Sequence, residues 1–270
     1  MKCDRQFDRW RRRYQQLLKR QALLLRRSRR RGDAGAIHDL RVTIRRLRLM
    51  TRLAIPFIGR ASADAYRAWS RKVSDATSAI RDHDVALEWL ATQAGSAPLI
   101  QSLSTRRLRL WRVNRSRLQL PTVAQCRRLA RFRVEAKARR RFTRRYAKRF
   151  ARLLDRIRPA LARYDRMTLD ERHAFRRQLR QLRYLRDCAL PKDQQSSDPL
   201  LRLILGAQVA MGEVQNLQLV ENFLGASSED PADPVLRKRL ADRIGTLQLA
   251  IQRSLKRLAA RLVSHPTAPA

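Results

Sequence analysis

An all-α fold built from two related halves is predicted by three features of this 270-residue sequence: its apolar spacing, its scarcity of chain breakers and an internal repeat. Apolar residues recur at intervals of three and four, and no stretch alternates as a strand would. Only 8 Gly and 10 Pro occur, and the prolines gather where periodic segments stop. Helices are predicted over 4–30, 35–57, 62–93, 97–116, 122–163, 168–189, 197–224 and 233–263. Pro56 closes the second of these, Pro98 opens the fourth and Pro121 precedes the fifth. Pro159 falls near the end of the fifth, Pro191 follows the sixth, Pro199 stands in the first turn of the seventh, and Pro231 and Pro234 mark the start of the last.

The repeat appears when "HDLRVTIRRLRLM", from His38, is laid over "HAFRRQLRQLRYL", from His173. His38 falls on His173, Arg41 on Arg176, Arg45 on Arg180, Leu47 on Leu182 and Arg48 on Arg183, an offset of 135 residues, half the chain. Downstream, "IRDHDVALEWL" (80–90) lies over "VQNLQLVENFL" (214–224), with Trp89 on Phe223 and Leu90 on Leu224. Two halves of about four helices each, roughly 1–135 and 136–265, are expected to be related by a pseudo-twofold within one domain spanning 1–270.

Charge is the anomaly of the composition. Lys+Arg number 62 against 23 Asp+Glu, a formal net of +39, in a chain that is still 44% hydrophobic and able to form a core. Self-repulsion on that scale opposes compaction unless a polyanion relieves it. Most of the cations are arginine, whose planar fork matches phosphate oxygens two at a time. Three cysteines, Cys3, Cys126 and Cys188, have no metal-ligand spacing and point to a reducing compartment. With no signal-like apolar run and no apolar segment of membrane-spanning length, the expected location is the cytoplasm.

The arginines of the second helix are placed, not scattered. At roughly 100° per residue from His38, Arg48, Arg41, Arg52 and Arg45 fall between roughly 280° and 340°. Leu40, Ile44, Leu47 and Thr51 flank this stripe on one side, and Val42, Leu49 and Leu53 on the other. Asp39, Thr43, Arg46 and Met50 are expected on the outside face. Arginines between two apolar shoulders predict a seam lining a groove, because an ordinary surface helix has one apolar and one polar face. In the second copy Arg176, Arg180 and Arg183 repeat the stripe, with Phe175, Leu179 and Leu182 on one shoulder and Tyr184 and Cys188 on the other. Asp187 stands near the Arg52 position and is expected to close or tune that end. From Arg41 to Arg52 the guanidiniums span roughly 16 Å, a ladder that fits a linear polyanion better than a single phosphate.

"HDLRVTIRRLRLMTRL", "RDHDVALEWL" and "HAFRRQLRQLRYL" together resemble the conserved histidine α-helical domain, the CHAD domain, over nearly the whole chain. The resemblance implies two pseudo-symmetric four-helix bundles around a central basic cavity that binds inorganic polyphosphate without catalysis. Carried over by position, the binding residues are His38, Arg41, Arg45, Arg46 and Arg48, with His173, Arg176, Arg180 and Arg183. Arg52 extends the first ladder by its place in the stripe, and Gln181, where the family usually has a basic residue, is left out. CHAD domains are often joined to a triphosphate-tunnel domain, whose Glu-x-Glu-x-Lys signature does not occur here, so a stand-alone binding module is expected. A polyphosphate ligand would also imply association with polyphosphate granules.

Other readings of the same residues are weaker. His38 and His173 have Val42 and Arg177 at i+4, no ligand partners, and arginines around them that repel a cation, so no metal site is expected. Each imidazole is expected to hydrogen-bond a phosphate oxygen or a neighbouring helix, its pKa pulled down by adjacent arginines. In "RDHD" (81–84), adjacent helical side chains do not converge, so Asp82 or Asp84 is expected to hold an arginine of the ladder. The run 137–158 reads as a helix with an aromatic core stripe of Phe142, Tyr146 and Phe150 and a solvated basic face. Arg145, Lys148 and Arg152 on that face are secondary phosphate-binding candidates.

A basic helical RNA- or DNA-binding protein is the alternative function. It lacks any recognisable nucleic-acid-binding signature and has few aromatics, 6%, although charge alone predicts non-specific binding at low salt. No helix combines a broad apolar face with one basic face, which argues against a membrane-surface partner. No nucleophile–base pair or acidic metal cluster is legible, so neither enzyme activity nor a cofactor is expected. Oligomeric state is not encoded in any pattern found.

Overall fold

Gly32 and Asp33 make the first turn, and both do so for identifiable reasons. Gly32 has φ 62°, and a Cβ there would stand 2.8 Å from the Trp111 ring. Only glycine combines the left-handed backbone with that close approach. Its N–H closes onto the Ser28 carbonyl at 3.1 Å, ending the first helix. Asp33 then caps the second, accepting from the Ala36 N–H at 3.1 Å and from Arg27 at 2.6 Å. These two contacts, the backbone one first, hold its carboxyl below the usual carboxylate range.

The computed structural model describes residues 2–94, 96–121, 123–130, 136–226 and 234–264. Among the described residues the fold is all helical, without a strand: α1 Lys2–Arg31, α2 Ala34–Ile58, α3 Arg60–Ala76, α4 Ser78–Leu90, α5 Ala97–Asn114, α6 Val123–Ala130, α7 Ala136–Ala162, α8 Leu169–Ala189, α9 Lys192–Gln195, α10 Pro199–Ala226 and α11 Pro234–Ser264. Short 3₁₀ turns follow α5 at Arg115–Arg117 and α7 at Tyr164–Arg166. Pro98, Pro199 and Pro234 stand in the first turns of α5, α10 and α11, where their missing N–H costs nothing. Pro56 and Pro159 lie inside the closing turns of α2 and α7. Pro231 lies outside the described residues. No helix among the described residues is long and apolar enough to cross a membrane.

The segment predicted as one helix over 62–93 is two, α3 and α4, parted at Thr77. The hydroxyls of Ser70, Ser74 and Thr77 donate back to the carbonyls of Arg67, Ser70 and Val73, each at 2.9 Å. Such bonds compete with the helix ladder and bend it. The Ser74 carbonyl is taken instead by the Arg41 guanidinium at 2.7 Å. Periodicity alone does not register a break made this way.

The chain divides into two compact units. One comprises Arg11–Phe142. In it α2 packs along α3 and against α4, α4 packs on α5, and α3 on α6. Its core gathers Leu24, Leu25, Leu40, Ile44, Val73 and Leu118. The other unit comprises Met1–Trp10 and Thr143–Ala270, with α10 packed along α11 and against α8. The capping box of Thr168 and Glu171 starts α8, each side chain bonding the other's backbone N–H. The predicted aromatic stripe of α7 forms: Phe142, Tyr146 and Phe150 are all buried.

Candidate anion ladders on α2 and α8

α2 is wrapped more completely than its sequence suggests. Both predicted shoulders pack: Leu40, Ile44, Leu47 and Thr51 are buried on one side, Leu49 and Leu53 on the other. Thr43 and Met50, expected outside, are buried as well. The buried arc therefore runs most of the way round the helix, and what interrupts it is chiefly the arginine stripe.

Within that stripe the heads of Arg41 and Arg48 are tied to α3. Arg41 Nη1 donates to the Ser74 carbonyl at 2.7 Å and to Thr77 Oγ1 at 3.0 Å. Arg48 donates through Nε to Ser70 Oγ at 2.7 Å and through Nη2 to Ser74 Oγ at 3.0 Å. A guanidinium has five N–H groups, so each still has donors for a ligand while its plane is fixed. The i, i+4, i+7 spacing of Ser70, Ser74 and Thr77 matches the arginine stripe and is the only mark these partners leave in the sequence.

The electrostatics are those of a crowded cationic seam. Burial first, then Arg45, depresses the Arg41 pKa, with Arg81 and Arg48 adding to it against the opposing pull of Asp82. Arg48 is lowered by burial, with Arg71 and Arg52 also pushing it down. Arg52, exposed at the end of the stripe, is lowered by partial desolvation and by Arg67. His38 is exposed at the other end, its pKa lowered by partial desolvation first and by Arg81 and Arg45 after it. The neighbouring arginines thus act on His38 as expected, but as the second cause. Each shift says that the charged form is disfavoured in the folded chain relative to the free side chain. Arg46, on the outside face beyond the Leu49 and Leu53 shoulder, is half-buried among neighbours of its own.

The carboxylates of "RDHD" are placed differently from expectation. Asp84 is buried and holds Arg107 at 2.6 Å, an α5 arginine outside the ladder. Arg107 also donates to the Gly32 carbonyl, so the pair locks α4, α5 and the α1–α2 turn together. Asp82 is the carboxylate that feels Arg41, its own pKa raised by burial and lowered in part by that arginine. Arg81 pairs with Glu88 at 2.7 Å.

On α8 the corresponding residues have other partners. Phe175, Leu179, Leu182, Tyr184 and Cys188 are buried, so both shoulders of this stripe pack. Arg176 donates to Gln215 Oε1 on α10, and Arg183 lies over the Tyr184 ring at 5.0 Å. Arg180 is half-buried between them. His173 is exposed and gives its Nδ1–H to the Leu169 carbonyl at 2.9 Å, a bond within its own helix. Gln181, which replaces the Arg46 counterpart, accepts from Arg149 of α7 at 2.6 Å. Gln195 donates to the backbone carbonyl of the half-buried Asp187 at 3.2 Å. Arg145, Lys148 and Arg152 are exposed along α7. His173 and Arg176 line a cavity of about 140 Å³ within the second unit.

A family model described as the CHAD domain matches residues 8–225, most of the chain, including both histidine–arginine helices. The chain belongs to the CHAD domain family. Its fold is also similar to a solved structure titled "Crystal structure of the CHAD domain from the plant Ricinus communis", with a TM-score of 0.59 at 17% identity, covering 97% of this chain and 93% of that one. No curated protein matches by sequence. At 17% identity the likeness of the two CHAD structures is one of fold alone. Among the described residues this CHAD domain contains no group of three or more His, Cys, Asp or Glu placed to hold a metal ion.

Proposed function

We propose that this protein binds inorganic polyphosphate through its two arginine–histidine ladders and performs no catalysis. The ligand contacts are His38, Arg41, Arg45, Arg46, Arg48 and Arg52 from α2, and His173, Arg176, Arg180 and Arg183 from α8. Arg145, Lys148 and Arg152 on α7 form a secondary surface that a long chain reaches after the ladders are filled. Its place of action is the cytoplasm, at polyphosphate granules.

The observation that carries this reading is the Arg41–Arg48 pair. Two guanidiniums about two helical turns apart are held by α3 with donors to spare, in a stripe whose members depress one another's pKa values. A linear anion with a charge at every unit neutralises such a row step by step, whereas orthophosphate reaches two or three members. Polyphosphate is also thin enough to lie along a stripe with packed shoulders, where a nucleic acid would have to bring its bases. The family and the fold agree with this reading.

The test is competition. Labelled long-chain polyphosphate is challenged with RNA, duplex DNA and orthophosphate at equal phosphate concentration in ~0.15 M salt. Polyphosphate is expected to resist all three. Equal displacement by RNA would replace this reading with general surface charge.

A further inference from the structure

The cavity at the start of α8 is chemically unlike the ladder it opens onto. Its apolar walls are Leu169, Met211, Val214 and Ile251, and its polar edge consists of the amides Gln215, Gln218, Gln248 and Gln252. Tyr164 closes one side under the Arg172 guanidinium, 5.3 Å from the ring. Gln252 donates to Asp165 at 3.0 Å, and Gln215 accepts from Arg176. Gln218 and Gln248 make no hydrogen bond among the described residues.

A phosphate chain has no use for such walls, because it has no apolar surface to bury against them and would lose hydration beside them. A flat nitrogen heterocycle suits them. Its faces match the apolar sides, and its edge offers donors and acceptors that a glutamine amide meets in pairs. The volume of about 140 Å³ is on the scale of a cavity that accepts a single aromatic ring, with the mouth open for a larger base. His173 and Arg176 line the same cavity, so an anionic tail attached to the base is met at the mouth.

We infer that this cavity binds a nucleoside polyphosphate, with the base against Met211, Val214 and Gln218 and the phosphates on His173 and Arg176. The inference rests on the polyphosphate reading only in using His173 and Arg176 as phosphate contacts; the base site is independent of it. The surroundings of His38 lack this chemistry: Leu24, Arg27, Asp39, Arg81 and Glu88 line the hollow there, without a glutamine. Base recognition therefore belongs to the α8 copy, and a nucleotide held there competes with polyphosphate for one ladder and leaves the other to it.

The experiment compares ATP and GTP with tripolyphosphate, which has the same tail and no nucleoside, by calorimetric titration of the full chain at constant ionic strength. At least one nucleotide is expected to bind about tenfold or more tighter than tripolyphosphate. Gln218→Leu and Gln248→Leu are expected to abolish that advantage while leaving tripolyphosphate and long-chain polyphosphate affinities unchanged. Equal affinity of both nucleotides and tripolyphosphate for the unmutated chain would overturn the inference without touching the polyphosphate reading. Failure of long polyphosphate to bind, with the nucleotide advantage intact, would do the reverse.

Discussion

Arg176 crosses Gly212 so closely that a Cβ on the glycine would stand 2.6 Å from the arginine Nη2. α8 and α10 thus meet at a glycine that leaves room for the guanidinium on its way to Gln215. Gly212→Ala gains helix propensity of about 1 kcal/mol but evicts the arginine head. Its melting temperature is expected to stay level or rise, while polyphosphate affinity falls severalfold. A thermal melt and a binding titration on the same variant check both halves, and loss of stability with unchanged affinity would contradict the assignment of Arg176.

Ser70→Ala with Ser74→Ala removes the hydroxyl acceptors of Arg48 and leaves its charge in place. Each bond lost is expected to cost about 1 kcal/mol of stability. Polyphosphate affinity is expected to fall as well, because the guanidinium must then be ordered by the ligand. Arg48→Lys tests the same point differently: it keeps the charge, loses the fork and is expected to bind more weakly than the parent.

Asp84→Ala leaves Arg107 half of a broken buried pair. The expected loss is about 3 kcal/mol or more, read as a lowered denaturation midpoint. Because Asp84 meets an α5 arginine and not the ladder, the protein that remains folded is expected to bind polyphosphate as before.

His38 gives a pH signature. Its pKa in the folded chain lies below the ordinary histidine value, so between that value and about 6.5 the unfolded chain holds more protons. Its contribution to stability is therefore present above pH ~6.5 and is lost as pH falls through that window. A bound polyanion reverses the balance, since it favours the imidazolium. Long-chain polyphosphate is expected to bind more tightly at pH 5.5 than at 7.5, with proton uptake measurable in buffers of different ionisation enthalpy. His38→Gln is expected to flatten this dependence.

The stripe on α2 was legible because four arginines and both shoulders obey one helical period, and burial of Leu47 and Leu53 on opposite flanks follows from it. The likeness of "HAFRRQLRQLRYL" to the α2 stretch pointed to the helix of Arg176 in the same way. What sequence could not supply came from tertiary partners. Arg41 takes the Ser74 carbonyl and parts α3 from α4, a break no turn residue announces. "RDHD" predicts that Asp82 or Asp84 holds a ladder arginine, whereas Asp84 takes Arg107, a choice that depends on where α5 lies. The glutamines of the α8 cavity come from α10 and α11, more than 30 residues apart for Gln215 and Gln248, and none stands out in a single segment.

The first helix belongs to both units: Phe7 and Trp10, fully buried with their rings 5.8 Å apart, fall in the unit completed by residues after Thr143. A ribosome delivers these aromatics more than a hundred residues before the rest of their unit. At typical elongation rates the interval is on the order of ten seconds or longer. During it the unit of Arg11–Phe142 can close, while the leading aromatics have nothing of their own unit to pack against. Until those later residues exist, Phe7 and Trp10 are apolar surface that a chaperone capturing short apolar segments can hold.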